Sequence, residues 1–165
     1  MNPSRPLALA LASLVLALPA LADTVTSTAA GGAWFSPATW EGGAVPTAQD
    51  DVVIAGPVTV AGVAPCAGLT VLAAGSIDAQ IVLPPRVLRA TGDVVNHGVV
   101  GAANAFYLEV EVGGDLHNEG FWSPKATRFI GDEPRALSQA PDHPFATDFS
   151  FADDADADVT AVTPV

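Results

Sequence analysis

The chain has 165 residues, with 18 acidic side chains against 6 basic ones and a formal net charge of −12. That length suits one domain of ordinary size, and so acidic a balance argues against nucleic acid or an anionic membrane as partner, since both call for a basic surface. A single cysteine, Cys66, excludes an internal disulfide, and its setting among Ala, Pro and Gly reads as a buried apolar thiol rather than a catalytic one.

Residues 1–22 read as an export signal. Arg5 supplies the positive start, Leu7 to Leu18 is a nearly unbroken run of Leu, Ala and Val, and Ala20-Leu21-Ala22 is an A-x-A cleavage site before Asp23. The run is short for a bilayer span, and no cysteine lies near the cleavage site to accept a lipid. The mature chain is therefore expected outside the cytoplasm: secreted, periplasmic or on the cell surface, with no membrane insertion once the signal is gone. Loss of Arg5 leaves five basic residues against the same 18 acidic ones.

Residues 23–49 form an N-terminal arm and an aromatic cap. The arm, 23–33, is small and polar, fit for a lead-in strand. Trp34, Phe35 and Trp40 come next among Gly and Pro, which rules out a helix and leaves aromatic rings in need of a surface. The segment is expected to pack as a lid on the first coil of the strand region, because an uncovered coil exposes a strand edge and an apolar interior.

Residues 50–131 carry short apolar runs, among them Val52-Val53-Ile54, Val58-Thr59-Val60, Leu69-Thr70-Val71, Ile77 and Ile81-Val82-Leu83. Each has the length of one side of a strand coil, and no stretch shows capped helical periodicity. Within this region Gly92-Asp93-Val94-Val95-Asn96-His97-Gly98 returns as Gly114-Asp115-Leu116-His117-Asn118-Glu119-Gly120, each shared position after 22 residues. A fixed period in this range is the mark of a repeat architecture. That spacing stacks Asn96 on Asn118 as an amide ladder, with Gly98 and Gly120 supplying backbone freedom at the turn. It also sets Leu88 on Val110, Ala90 on Val112, Arg89 on Glu111, Arg86 on Leu108 and His97 on Glu119. Phe106, Leu108, Val110 and Val112 are expected to share one buried face of a strand.

In residues 132–165 the pattern loosens into an irregular acidic tail, or part of a further coil of a truncated chain. Asp154, Asp156 and Asp158 present carboxylates at alternate positions, but an EF-hand counted from Asp154 would place Val159 and Val165 where Gly and an acid belong.

The two tryptophans, Gly42-Gly43 with Pro46, the run Asp50-Asp51-Val52-Val53-Ile54 and the Gly-Asp-x-x-Asn-x-Gly turns together resemble the opening coils of pectin-lyase-like right-handed β-helices. They are most similar to the eight-glycine solenoid domain and to bacterial surface proteins of the adhesin and autotransporter type. The resemblance covers roughly residues 34–122. It implies an all-β fold, a short right-handed parallel β-helix with an aromatic N-terminal lid, and it fits adhesins, enzymes and uncharacterised surface proteins alike.

No catalytic constellation nominates itself: serine-elbow, phosphate-loop and dinucleotide motifs are absent, and Arg86, Arg89, Lys125, Arg128 and Arg135 are not gathered around one acidic cleft by the 22-residue offset. The expected role is that of a structural or adhesive module needing no cofactor. The alternatives are a carbohydrate-binding or carbohydrate-cleaving β-helix, with Trp34, Trp40 or Trp122 as stacking platforms, and a fragment of a larger surface protein. Asp93 and Asp115, about 5 Å apart by strand spacing, and the Asp154, Asp156 and Asp158 run are the candidate Ca²⁺ ligands. Extracellular polysaccharide or cell-surface components are the expected partners.

Overall fold

The structure is a computed structural model and describes residues 22–81, 83–131, 133–151 and 159–162. Residues 1–21, nearly all of the segment read above as an export signal, and the Asp154, Asp156 and Asp158 run lie outside the described residues. The chain is nearly all strand and winds into a parallel β-solenoid of about five turns. Each full turn contributes one short strand to each of three parallel sheets. The first sheet stacks Thr24–Thr26, Asp51–Ile54, Leu69–Val71, Val94–Asn96, Leu116–Asn118, Arg135–Gln139 and Val159–Val162. The second stacks Gly32–Ala33, Pro57–Val60, Ser76–Ala79, Val99–Val100 and Phe121–Trp122, and the third Val63–Cys66, Arg86–Ala90, Leu108–Val112, Ala126–Phe129 and Asp148–Phe151.

Alternation along each strand points every second side chain inward. The core is therefore a set of columns running up the solenoid axis. Val52, Leu69, Val94 and Leu116 form one column, Val58, Ile77, Val100 and Trp122 a second, and Cys66, Ala90, Val112 and Phe129 a third, all buried. Burying each large apolar side chain contributes about 1.5–3 kcal/mol. With no disulfide available, these columns and the sheet hydrogen bonds hold the turns together.

The N-terminal end is closed by the aromatic segment. Trp34 and Trp40 are buried and meet edge to face at 5.1 Å, and Trp40 Nε1 donates to the Trp34 carbonyl at 2.7 Å. Two short 3-10 turns, Pro37–Thr39 and Glu41–Gly43, fold the lid over the first coil, with Gly42 and Gly43 in the positive-φ region.

Three expectations need correction. The 22-residue period, which the sequence shows for the motif pair but not cleanly among the first coils, is one step among unequal ones: along the first sheet, Val52 to Leu69 takes 17 residues, Leu69 to Val94 takes 25, Val94 to Leu116 takes 22 and Leu116 to Leu137 takes 21. Corners between sheets absorb the differences, so strand register survives insertions. Ile81 and Leu83 belong to one such corner and are exposed. Pro84 and Pro85 have no N–H to offer a ladder, so the strand starts only at Arg86.

Phe106 is the third. It is 63% exposed, because Ala105–Tyr107 is a 3-10 turn and the strand begins at Leu108. The Asp78 carboxylate of the coil below accepts from the amides of Ala103 and Asn104 and pins this corner. The turn breaks the alternation, and Lys125 lies over the outward-facing Phe106 ring.

Candidate functional site

The first sheet, with the turns that flank it, carries several groups of polar side chains that make specific contacts. Along its leading corner runs a column of carboxylates. Asp51 Oδ1 accepts from the Gly68 amide at 2.9 Å, Asp93 Oδ1 from the Asp115 amide at 2.8 Å, and Asp115 Oδ1 from the Ala136 amide at 2.7 Å. Each aspartate reaches one coil upward and caps a backbone N–H there. This explains the glycine that precedes the second aspartate, since a Cβ on Gly114 would lie 2.2 Å from Asp93 Oδ1. Between Asp51 and Asp93, where Gly68 has no side chain, a shallow depression of about 340 Å³ is lined by Thr24, Val53, Thr70 and Val95 as well.

The trailing corner holds the amide ladder. Asn96 Nδ2 donates to Asn118 Oδ1 at 2.7 Å and to the Phe121 carbonyl at 3.1 Å, and Asn118 Nδ2 donates to the His143 carbonyl at 3.0 Å. Each Oδ1 also accepts from the amide two residues on, Gly98 and Gly120. Both asparagines are fully buried. The glycines act differently from expectation. Neither has a positive φ; what they provide is room, because a Cβ on Gly98 would lie 2.3 Å from the Leu72 carbonyl oxygen and one on Gly120 would lie 2.1 Å from that of Gly98.

Between and beside these columns the structure brings together four side chains from three successive coils. His97 Nδ1 lies 2.8 Å from Glu119 Oε2, and His117 Nε2 lies 2.9 Å from Glu119 Oε1. His117 Nδ1 lies 2.5 Å from Ser138 Oγ. The two histidines hold the Glu119 carboxyl below its ordinary range, His117 first and His97 second. The offset of 22 correctly places His97 over Glu119, but it would set Gln139 over His117. The true step here is 21, so Ser138 takes that position. Aligning the apolar Leu116 with Leu137 is the signal that would have found it.

The three tryptophans face inward. Trp34, Trp40 and Trp122 are all buried, and Trp122 Nε1 donates to Thr127 Oγ1 at 2.9 Å. A sugar ring has no open face to stack on at any of them. The Arg89 guanidinium pairs with Glu111 and Lys125 Nζ with Glu109 at 2.7 Å on the outside of the third sheet. Arg86 sits beside Leu108 in register. Arg135 is buried and donates to the carbonyls of Gly113 and Ile130, a contact no sequence signal announces.

Burial pushes the Cys66 thiol up to about 12, which keeps it protonated and unreactive as a nucleophile at neutral pH. Among the described residues, no three His, Cys, Asp or Glu side chains are grouped to hold a metal ion.

No family model matches the chain, and no curated protein or solved structure resembles it closely enough to count as a match.

Proposed function

We propose that this chain is a structural or adhesive solenoid module, exported and displayed outside the cell, of the broad pectin-lyase-like and adhesin kind that its turns resemble. One observation carries the reading: the polar side chains of the repeat are engaged between coils. Asp93 and Asp115 cap amides of the next coil, and Asn96 and Asn118 form a buried ladder. A repeat whose polar groups bond to its own neighbours builds a rigid rod, and a rod serves to present or space a surface. The inward tryptophans add support, because a carbohydrate-binding groove would need aromatic rings in the open.

In this reading no cofactor is required, and the partners are cell-surface components or extracellular polysaccharide met through the rod's outer faces. A glycan array probed with the chain from Asp23 onward, with and without Ca²⁺, tests it. Silence throughout, with an unfolding midpoint that Ca²⁺ leaves in place, is the result expected of a purely structural rod, and glycan binding that needs no Ca²⁺ is the result expected of an adhesive one. Selective glycan binding that depends on Ca²⁺ would replace the structural reading with a lectin-like one.

A further inference from the structure

Ser138, His117 and Glu119 stand in the order hydroxyl, imidazole, carboxylate, with separations of 2.5 Å and 2.9 Å. The proton positions are set by the partners. An ionised Glu119 offers only acceptors, so the ring nitrogen facing each of its oxygens must carry hydrogen. His117 Nε2 is therefore the donor, and in the neutral ring Nδ1 is left bare and accepts from the Ser138 hydroxyl. That is the tautomer a serine base needs. His97 donates to the other oxygen of Glu119 and holds the carboxylate in place from the coil below.

We propose that Ser138 is an activated nucleophile, a modification site that takes acyl or phosphonyl groups from small activated esters, with His117 as its general base and Glu119 as a positioning residue. Ser138 Oγ bonds to the carbonyl carbon while its proton passes to His117 Nδ1. The carbon–oxygen bond to the alcohol then breaks, and that proton leaves with the departing alkoxide. Water, deprotonated by the same imidazole, hydrolyses the acyl-serine in a second round. The imidazole and carboxylate side chains are 40% and 48% exposed, so a reagent can approach from solvent. The outer face of a sheet imposes no shape on the acyl group, which suits small or polymer-borne esters rather than one defined substrate.

Among the described residues, Ser138 Oγ meets only His117 Nδ1, with no donor placed for an oxyanion. In serine enzymes the loss of one such donor costs about 10²–10³ in rate. Modification is thus expected to be stoichiometric, with slow turnover.

The other serines of the same chain provide the control. The full chain is treated with a fluorophosphonate probe and, separately, with p-nitrophenyl acetate, and modified peptides are mapped by mass spectrometry. Ser138 is expected to react about a hundredfold faster than Ser36, Ser76, Ser123 or Ser150, the size of effect a positioned base supplies. The rate should fall on acidification, as the imidazole gains the proton that stops it accepting one, and H117Q should lose the advantage. Ser138 reacting no faster than the other serines overturns the assignment. So does a rate that does not fall on acidification, because a protonated imidazole cannot accept the serine proton; that measurement on the unaltered chain decides the matter even if H117Q fails to fold.

Discussion

Two ladders join the same pair of coils at the same 22-residue offset. Asn96 reaches Asn118 inside the solenoid, and Arg89 reaches Glu111 on its outer face. The ion pair carries full charges and the amide pair none, yet the amide ladder is the stronger determinant of the fold. Both asparagines are fully buried, so each of their hydrogen bonds replaces one that water cannot supply. Arg89 and Glu111 remain partly in water, at 45% and 16% side-chain exposure. Their attraction competes with hydration, side-chain entropy and dissolved ions. Burial, rather than formal charge, ranks the two contacts.

The sharpest way to break this ranking is to remove an amide. Asn118→Ala leaves one N–H of the Asn96 amide, the Gly120 N–H and the His143 carbonyl without a partner, three groups in the interior or at its edge, while Asn96 keeps its bond to the Phe121 carbonyl. Each unsatisfied buried group costs about 1–3 kcal/mol, so a loss of roughly 3 kcal/mol or more is expected in urea denaturation of the full chain. Asn118→Asp, which keeps shape and acceptors, should also destabilise, because it cannot donate to His143 and places a charge inside. A loss below that seen on breaking the Arg89–Glu111 pair would reverse the ranking.

Legibility in the sequence divides along the same line. The Asn-to-Asn, Arg-to-Glu and His-to-Glu pairings are readable because a repeated motif supplies the register directly. One coil further the step shortens to 21, and a single-residue slip exchanges every inward side chain for an outward one. Ser138 is hidden for that reason alone. Phe106 is misplaced by its pattern because alternation ahead of a strand looks identical whether the chain is extended or turning. What decides it is Asp78, a carboxylate one coil below that no local pattern reveals. The tryptophans read as aromatic and in need of cover, but whether the cover is protein or ligand depends on the coils they meet, and here both faces of the choice resolve to protein.

The aspartate corner column lies between the two extremes. Asp93 is exposed, yet its carboxylate accepts from a backbone amide that sits at the edge of a sheet. Asp93→Ala should cost about 1 kcal/mol, the net contribution of one such bond with water available to replace it. Asp93→Asn retains an acceptor and should recover most of the loss. If the alanine and asparagine variants unfold at the same urea concentration, the carboxylate is not the cap that its 2.8 Å contact indicates.

The smallest effect belongs to the ion pair itself. The Glu111 hydrogen bond and charge raise the proton affinity of Arg89 further, so Arg89 stays charged and alkaline pH is no lever on the pair. Salt is the lever. A double-mutant cycle with Arg89→Met and Glu111→Gln should give a coupling below about 1 kcal/mol in dilute buffer. In 1 M salt, where the screening length shrinks to about 3 Å, most of that coupling should disappear. The Asn118→Ala loss, measured side by side, should persist, because added ions do not reach a buried amide. A coupling across Arg89 and Glu111 that survives high salt undiminished would mean that the pair is desolvated in solution, and the distinction between inner and outer ladder would then rest on geometry alone.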